Sequence, residues 1–221
     1  MIKLISTIVL VLTTFFCHSQ LKGSGKTSTK TYDYKNFDKV YFEDVVGNIE
    51  VENGKTWSVT ITIDDNLESL LQFTENSSEH ELKIQFKDNR KNRMYIENTN
   101  TTIKITMPEA SVIKNTGNSD VIINNIIGRY FRLENTGNGN VILSGSTDQL
   151  DIEKTGNGDV ISEKLLVKKA KVKSTGNGNV VVNVSKELTG KLSGNGDIIN
   201  KGSAKFDSNS KKSGNGKLIE Q

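Results

Sequence analysis

The fold is decided by the stretch Asn135-Thr136-Gly137-Asn138-Gly139-Asn140-Val141-Ile142, because five similar copies of it occur in the second half of the chain. The other copies occupy residues 115–122, 154–161, 174–181, 192–199 and 212–219. The first glycines of the six copies are separated by 20, 19, 20, 18 and 20 residues. A period of this length is typical of a stacked repeat protein in which each copy is one supersecondary unit.

Each repeat has two strand-like arms, such as residues 131–133 before the glycines and 141–143 after them, and no apolar pattern of helix length. A unit of about 20 residues, rising roughly 3.3 Å per residue, suits one turn of a parallel β-solenoid whose turns stack about 4.8 Å apart. Parallel connections are nearly always right-handed. The sequence therefore predicts an all-β fold, a right-handed single-stranded parallel β-helix of about six regular turns after a less regular N-terminal part.

The glycines are predicted to form the corners of the turns, because glycine tolerates positive φ and asparagine is one of the few other residues that does. The structural corner residues are Gly117, Gly137, Gly139, Gly156, Gly158, Gly176, Gly178, Gly194, Gly196, Gly214 and Gly216. Stacking also aligns six asparagines, whose side-chain amides can bond to one another as a ladder. These are Asn118, Asn138, Asn157, Asn177, Asn195 and Asn215.

The position before the first valine alternates between acid and amide, which avoids stacking like charges in one column. The column is Asp120, Asn140, Asp159, Asn179, Asp197 and Lys217. Asp120, Asp159 and Asp197 are the metal-ligand candidates of the repeats, since Gly-Asn-Gly-Asp is similar to the nonapeptide of calcium-binding β-rolls. The period is about twice that of such rolls, and amides replace half of the carboxylates. We therefore expect a structural column, with no metal and no cofactor.

Two neighbouring aliphatic columns follow. The first is Val121, Val141, Val160, Val180, Ile198 and Leu218, and the second is Ile122, Ile142, Ile161, Val181, Ile199 and Ile219. Adjacent residues of a strand point to opposite faces, so one column faces outward unless a bend at the corner buries both. An outward second column would be a stripe for docking a partner. The sequence does not choose between these alternatives.

The sequence divides the chain into four parts: a signal peptide (1–19), a flexible leader (20–36), an irregular N-terminal β-solenoid part (37–110) and the regular repeats (111–221). Lys3, an apolar run over 4–16 and the small residue Ser19 are typical of an export signal, so the mature chain is predicted to begin at Gln20. The run is shorter than the roughly 20 residues of a membrane span. Cleavage removes Cys17, the only cysteine, so no disulfide is expected.

Charge is nearly balanced, with 29 Lys and Arg against 26 Asp and Glu and a formal net charge of +3. This balance gives no strong field for attracting nucleic acid. The basic segment 87–93 carries four positive charges opposed by Asp88, and an exported protein rarely meets nucleic acid, so the segment is interpreted as a solvated loop rather than a nucleic-acid site.

With the signal-like segment, the alternating N-terminal strands, the Met107-Pro108-Glu109 turn and the repeated Gly-Asn-Gly-Asp/Asn-Val, the chain resembles the GIN-domain family of autotransporter-adhesin head domains. The resemblance extends from about residue 37 to the C-terminus. It implies an exported right-handed parallel β-helix without an assigned activity and without catalytic residues. The chain departs from the family pattern in its second aliphatic column, which is often polar in such proteins.

These observations favour an exported, non-enzymatic, adhesin-like or envelope-associated module that binds a protein or glycan, with self-association as a further possibility. The alternative is a polysaccharide-binding or polysaccharide-degrading β-helix protein, by analogy of fold. Hydrolysis needs two positioned carboxylates, and short repeats leave no long loops to build a cleft. His80 is the only histidine after residue 19, which argues against a histidine triad or a zinc site. Periplasm, outer surface and secretion into the medium all stay open.

Overall fold

A computed structural model describes residues 20–89 and 94–221. The predicted signal peptide and residues 90–93 of the basic segment lie outside the described residues. Within those residues the protein is all-β, with seventeen strands, one 3₁₀ turn (Glu68–Leu70) and no α-helix. The strands are β1 (Gln20–Lys22), β2 (Thr27–Tyr32), β3 (Lys39–Val45), β4 (Asn48–Asn53), β5 (Ser58–Asp64), β6 (Leu71–Asn76), β7 (Glu81–Phe86), β8 (Tyr95–Glu97), β9 (Thr102–Met107), β10 (Val112–Gly117), β11 (Asp120–Gly137), β12 (Val141–Gly156), β13 (Val160–Gly176), β14 (Val180–Gly194), β15 (Ile198–Asn200), β16 (Lys211–Ser213) and β17 (Leu218–Glu220).

Fifteen of these strands form one sheet, while β1 and β8 pair separately. From β10 to β14, each strand pairs in parallel with the next one along the chain. The short strands β15, β16 and β17 continue the same parallel pairing beyond β14. Paired residues occupy equivalent positions of the repeat, so that Gly137 lies beside Gly156 and Gly156 beside Gly176. The sheet is therefore mostly parallel, and the sequence repeat sets its register.

The core is a column of aliphatic side chains that point to one side of the strands. Val121, Val141, Val160, Val180 and Ile198 are fully buried, which assigns the first aliphatic column to the interior. Leu133, Ile152 and Val172, from the arms before the corners, are buried as well. Full burial of one such side chain contributes roughly 1.5–3 kcal/mol, so these columns are a main source of the stability of the repeats.

The N-terminal part attaches to the repeats through β3 and β4, which pair in parallel with β10 and β11. The next strands outward are also parallel, β7 beside β3 and β9 beside β4. Further out the pairing becomes antiparallel, β9 with β5 and β5 with β2 on one side, and β7 with β6 on the other. The rings of Tyr32 and Tyr34 pack on that of Phe73, with centroids 4.6 and 5.1 Å apart. This aromatic cluster joins the β2 side to the β6 side, so the two antiparallel edges of the stack are held together.

The expectation of a flexible leader over 20–36 is wrong, because β1 and β2 are both paired strands. The buried carboxylate of Asp64 accepts hydrogen bonds from the backbone N–H groups of Gly25 (2.9 Å) and Asn100 (2.7 Å) and from the hydroxyl of Thr99 (3.0 Å). Burial alone would raise the pKa of Asp64, but these hydrogen bonds outweigh it and lower the pKa. The leader is thus fixed by a buried acid from another part of the chain.

Five of the six predicted corners contain two glycines, and each glycine is needed for a different reason. The first glycine has positive φ, +123° at Gly156, a conformation that side-chain-bearing residues rarely adopt. The second glycine is needed for close approach, since a Cβ on Gly158 would lie 2.0 Å from the carbonyl oxygen of Gly139. Ser119 takes the second position in the first copy, where it faces the irregular N-terminal part and its hydroxyl donates to the carbonyl of Val45 (2.5 Å).

Replacing Gly156 with valine should destabilise the protein more than replacing Gly214 in the last copy. A Cβ at Gly156 meets the carbonyl oxygen of Gly137 at 2.1 Å, whereas at Gly214 the nearest atom is at 2.5 Å and only one neighbouring copy is disturbed. We expect Gly156→Val to lower the free energy of unfolding by about 1–3 kcal/mol or more in denaturant titrations. Gly25→Val is the control, because Gly25 has φ of +81° but no atom within 4 Å of the added Cβ. Equal, negligible effects at Gly156 and Gly214 would contradict the corner assignment.

Candidate binding surface

The second aliphatic column lies on the outside of the strands. Ile122 and Ile142 are 37% and 39% exposed, and the remaining members are partly exposed. Successive members pair directly in the parallel register. We call this column the aliphatic stripe; it consists of Ile122, Ile142, Ile161, Val181, Ile199 and Ile219.

The aliphatic stripe ends at an ion pair on its N-terminal side. Glu50 of β4 pairs with Ile122, and Lys104 of β9 pairs with Glu50. The ammonium of Lys104 lies 3.0 Å from the Glu50 carboxylate. The stripe is therefore a narrow apolar line along the repeats, with a charged boundary at one end.

Beside the stripe, the corner asparagines form a continuous ladder on the surface. The Nδ2 of Asn138 donates to the Oδ1 of Asn118 at 2.8 Å, and that of Asn157 donates to Asn138 at 2.8 Å. The same bond recurs through Asn177, Asn195 and Asn215 at 2.7–3.0 Å. These amides bind each other, so they hold the corners in register rather than facing a ligand.

The Asp/Asn column also bonds from repeat to repeat. Each side-chain oxygen accepts the backbone N–H of the equivalent residue in the next copy, as Asp120 does from Asn140 at 2.7 Å. Asp159 accepts from Asn179 and Asp197 from Lys217, both at 2.7 Å. Among residues 20–89 and 94–221, no group of three or more His, Cys, Asp and Glu residues could hold a metal ion. The geometry therefore gives these three aspartates a role as backbone acceptors.

Calcium and chelators should leave the melting temperature unchanged, because the carboxylates of the column are engaged by backbone donors. Asp120→Asn keeps an acceptor oxygen and should change the free energy of unfolding by less than about 0.5 kcal/mol. Asp120→Ala removes the acceptor and should cost about 1 kcal/mol. Thermal melts with and without EDTA, together with titration of both variants, check this. A large drop in melting temperature with EDTA that calcium restores would instead identify a metal site.

A second polar column lies inside the corners. The buried amide of Asn115 donates to the carbonyl of Ser119 (3.2 Å) and to the Oδ1 of Asn135 (3.0 Å). Asn135 in turn donates to the carbonyl of Gly139 at 2.9 Å. Inward amides thus satisfy corner carbonyls that would otherwise be buried without a partner.

In the next two copies this column changes to Lys154 and Ser174, both buried. The ammonium of Lys154 donates to the carbonyl of Gly156 at 3.0 Å and also reaches the carbonyl of Gly178 in the following copy. The hydroxyl of Ser174 has no hydrogen-bond partner among the described residues. One lysine therefore replaces the inward amide of two repeats. Lys154 was not predicted from the sequence. A signal for it was present, because the same position, two residues before the first corner glycine, is asparagine in both preceding copies.

Lys154 should make stability depend on pH in the alkaline range. Burial lowers its pKa below the ordinary 10.5, and the carboxylate of Asp159 opposes the shift only in part. The unfolded chain then binds more protons than the folded one in the window just below 10.5, so the free energy of unfolding rises with pH there. Wild type should therefore gain stability relative to Lys154→Met as the pH rises toward 10.5.

The control for this measurement is Lys212→Met, which removes the exposed lysine at the equivalent position of the last copy. Comparing the two variants separates the effect of burying Lys154 from the loss of one positive charge. At neutral pH, Lys154→Met should cost about 1–3 kcal/mol by leaving buried carbonyls unpaired. A pH-independent gap for Lys154→Met would contradict the lowered pKa.

None of the described residues belongs to a helix long and apolar enough to cross a membrane. A comparison with curated proteins found no match. Several solved structures match along nearly their whole length, all below 25% identity, and therefore show a shared fold alone. A putative adhesin from Bacteroides fragilis is 22% identical with a TM-score of 0.65, and the match covers 91% of this chain and 100% of that one.

Two further structures come from the genus Parabacteroides. A putative lipid binding protein from P. distasonis is 19% identical with a TM-score of 0.57, and the match covers 92% of this chain and 100% of that one. A putative adhesin from P. merdae is also 19% identical, with a TM-score of 0.51 and coverage of 91% and 99%.

The sequence itself matches a family model over residues 36–204, which is most of the chain. The model describes a "putative auto-transporter adhesin, head GIN domain". This match confirms the resemblance stated from the repeats, and the chain belongs to the GIN-domain family.

Proposed function

We propose that the chain is a right-handed parallel β-helix. Strand β12 has 16 residues, and only residues 138–140 separate it from β11, its parallel neighbour. A straight strand of that length would extend roughly 50 Å, whereas three residues span only about 11 Å. Each long strand therefore has to bend round and return to the start of the next one. The right hand follows from the general preference of parallel connections.

We further propose that this β-helix is an exported, non-enzymatic, adhesin-like module of the cell envelope that binds a protein or a glycan. Family membership is the observation that carries the proposal. The signal-like segment 1–19 supports export, and the outward aliphatic stripe supports a binding role because monomeric proteins rarely keep long apolar lines in water.

The proposal that the protein is not an enzyme is supported by the hydrogen bonds and ion pairs that its carboxylates already form. Asp120, Asp159 and Asp197 accept backbone hydrogen bonds, and Glu153 is engaged by both Arg132 and Lys173. A glycosidase keeps two carboxylates free on either side of the bond that it cleaves. Polysaccharide binding is the second candidate, favoured by the basic groove described below.

Protease treatment of intact cells, followed by mass spectrometry of the released peptides, tests exposure at the cell surface. We expect peptides from residues 20–221 to be released before the cells are broken, since an adhesin-like module must reach its partner. A cytoplasmic protein monitored in the same sample is the control. Release only after disruption of the outer membrane would place the module in the periplasm, and release only after full lysis would contradict export.

A further inference from the structure

A basic groove lies on the face formed by the arms that precede the corners in β11 to β14 and by β16. It has a volume of about 630 Å³ and is lined by five basic and two acidic side chains. Arg132, Asp151 and Glu153 are on the side of the earlier repeats, and Lys171, Lys191 and Lys211 are on the side of the later ones. This surface is separate from the aliphatic stripe, which lies in the arms after the corners.

Charges on the earlier half of this face are neutralised in pairs. Lys114 lies 3.5 Å from the carboxylate of Glu81. Arg132 contacts Glu134 at 2.7 Å and Glu153 at 3.1 Å. In the earlier repeats these basic side chains are therefore each paired with at least one carboxylate, on the same strand or on a nearby one.

The later half lacks this compensation. Lys173 contacts Glu153 at 2.7 Å, but Lys171, Lys191 and Lys211 form no ion pair with any other described residue. Lys173 pairs with Lys191, and Lys191 with Lys211, directly across the parallel strands. Neighbouring strands are about 4.8 Å apart, so three ammonium groups follow one another along the stack. Like charges placed directly opposite destabilise a sheet unless an anion lies between them.

We propose that this groove binds a linear polyanionic glycan, whose carboxylate or sulfate groups lie along the row formed by Lys173, Lys191 and Lys211. The groove is an open trough and the row runs from repeat to repeat, which suits a polymer better than a single small anion. Thr189 and Asn209 also line it. The hydroxyl of Thr189 donates to Asp207 at 2.6 Å, so its oxygen is free to accept a hydrogen bond from a sugar hydroxyl.

Other polyanions fit the groove less well. None of the described residues that line it is aromatic, whereas proteins that bind single-stranded nucleic acid stack bases on aromatic rings. A lipid surface needs apolar or aromatic side chains that insert beside the basic ones, and Ile152 and Val172 are buried in the core. The inference rests on the proposed function in one respect: export brings a glycan-binding module to the places where such polymers occur.

Binding of purified protein to dextran sulfate and to polygalacturonate tests the proposal, with neutral dextran as the reference. The variant carries Lys173→Gln, Lys191→Gln and Lys211→Gln, so all three lysines of the row are changed. The control carries Lys26→Gln, Lys55→Gln and Lys164→Gln, which are exposed lysines away from the groove and change the net charge equally. We expect salt-sensitive binding of one or both anionic polymers by wild type, weakened roughly tenfold or more in the groove variant and little in the control.

Equal weakening of polymer binding in both variants would show that the effect comes from net charge alone and would overturn the proposal. Tighter binding of single-stranded DNA or of phosphatidylglycerol vesicles through the same lysines would overturn the glycan assignment.

Without ligand, the groove variant should melt at the same temperature as wild type or higher, because repulsion between the lysines is removed. A lower melting temperature would make these lysines structural and contradict a binding role. The assay uses purified protein, so its failure is distinguishable from a failure of export.

Discussion

The structure depends on how closely successive corners approach one another. The carbonyl oxygen of Gly137 lies 2.1 Å from where a Cβ on Gly156 would stand, so two corners stack only when no side chain intervenes. That contact fixes the offset between neighbouring strands at one repeat. The same offset then places valine on valine in the core and asparagine beside asparagine at the surface. It also brings each aspartate carboxylate to the backbone N–H from which it accepts a hydrogen bond.

The sequence was sufficient wherever one local pattern recurs. Six copies of the glycine corner predict parallel pairing between equivalent positions, because an error in register would have to be repeated in every copy. The asparagine ladder follows from the same reasoning, and the hydrogen bonds from Asn118 to Asn215 have the predicted partners. Periodicity alone did not decide which aliphatic column faces outward; the burial of Val141 and the partial exposure of Ile142 do.

The features that the sequence did not predict depend on partners far apart in the chain or on a break in the repeat. Strand β2 has almost no apolar residues, and it is held by pairing with β5 and by the hydrogen bonds of Asp64 to Gly25 and Asn100. Lys154 interrupts the inward amides and reaches the corner of the next copy. The basic groove arises only when lysines about 20 residues apart become neighbours across strands.

The hydrogen bonds of the asparagine ladder all run in one direction. At every step the Nδ2 of the later copy donates to the Oδ1 of the earlier one. Aligned amide dipoles add, as peptide dipoles do along a helix, so the row of repeats has an electrical polarity. Within the ladder, Asn118 keeps a donor to spare at one end and Asn215 keeps an acceptor at the other. Two ladders can therefore join end to end only when their hydrogen bonds run in the same direction. In the neighbouring Asp/Asn column, Lys217 has no side-chain oxygen and cannot accept the next backbone N–H.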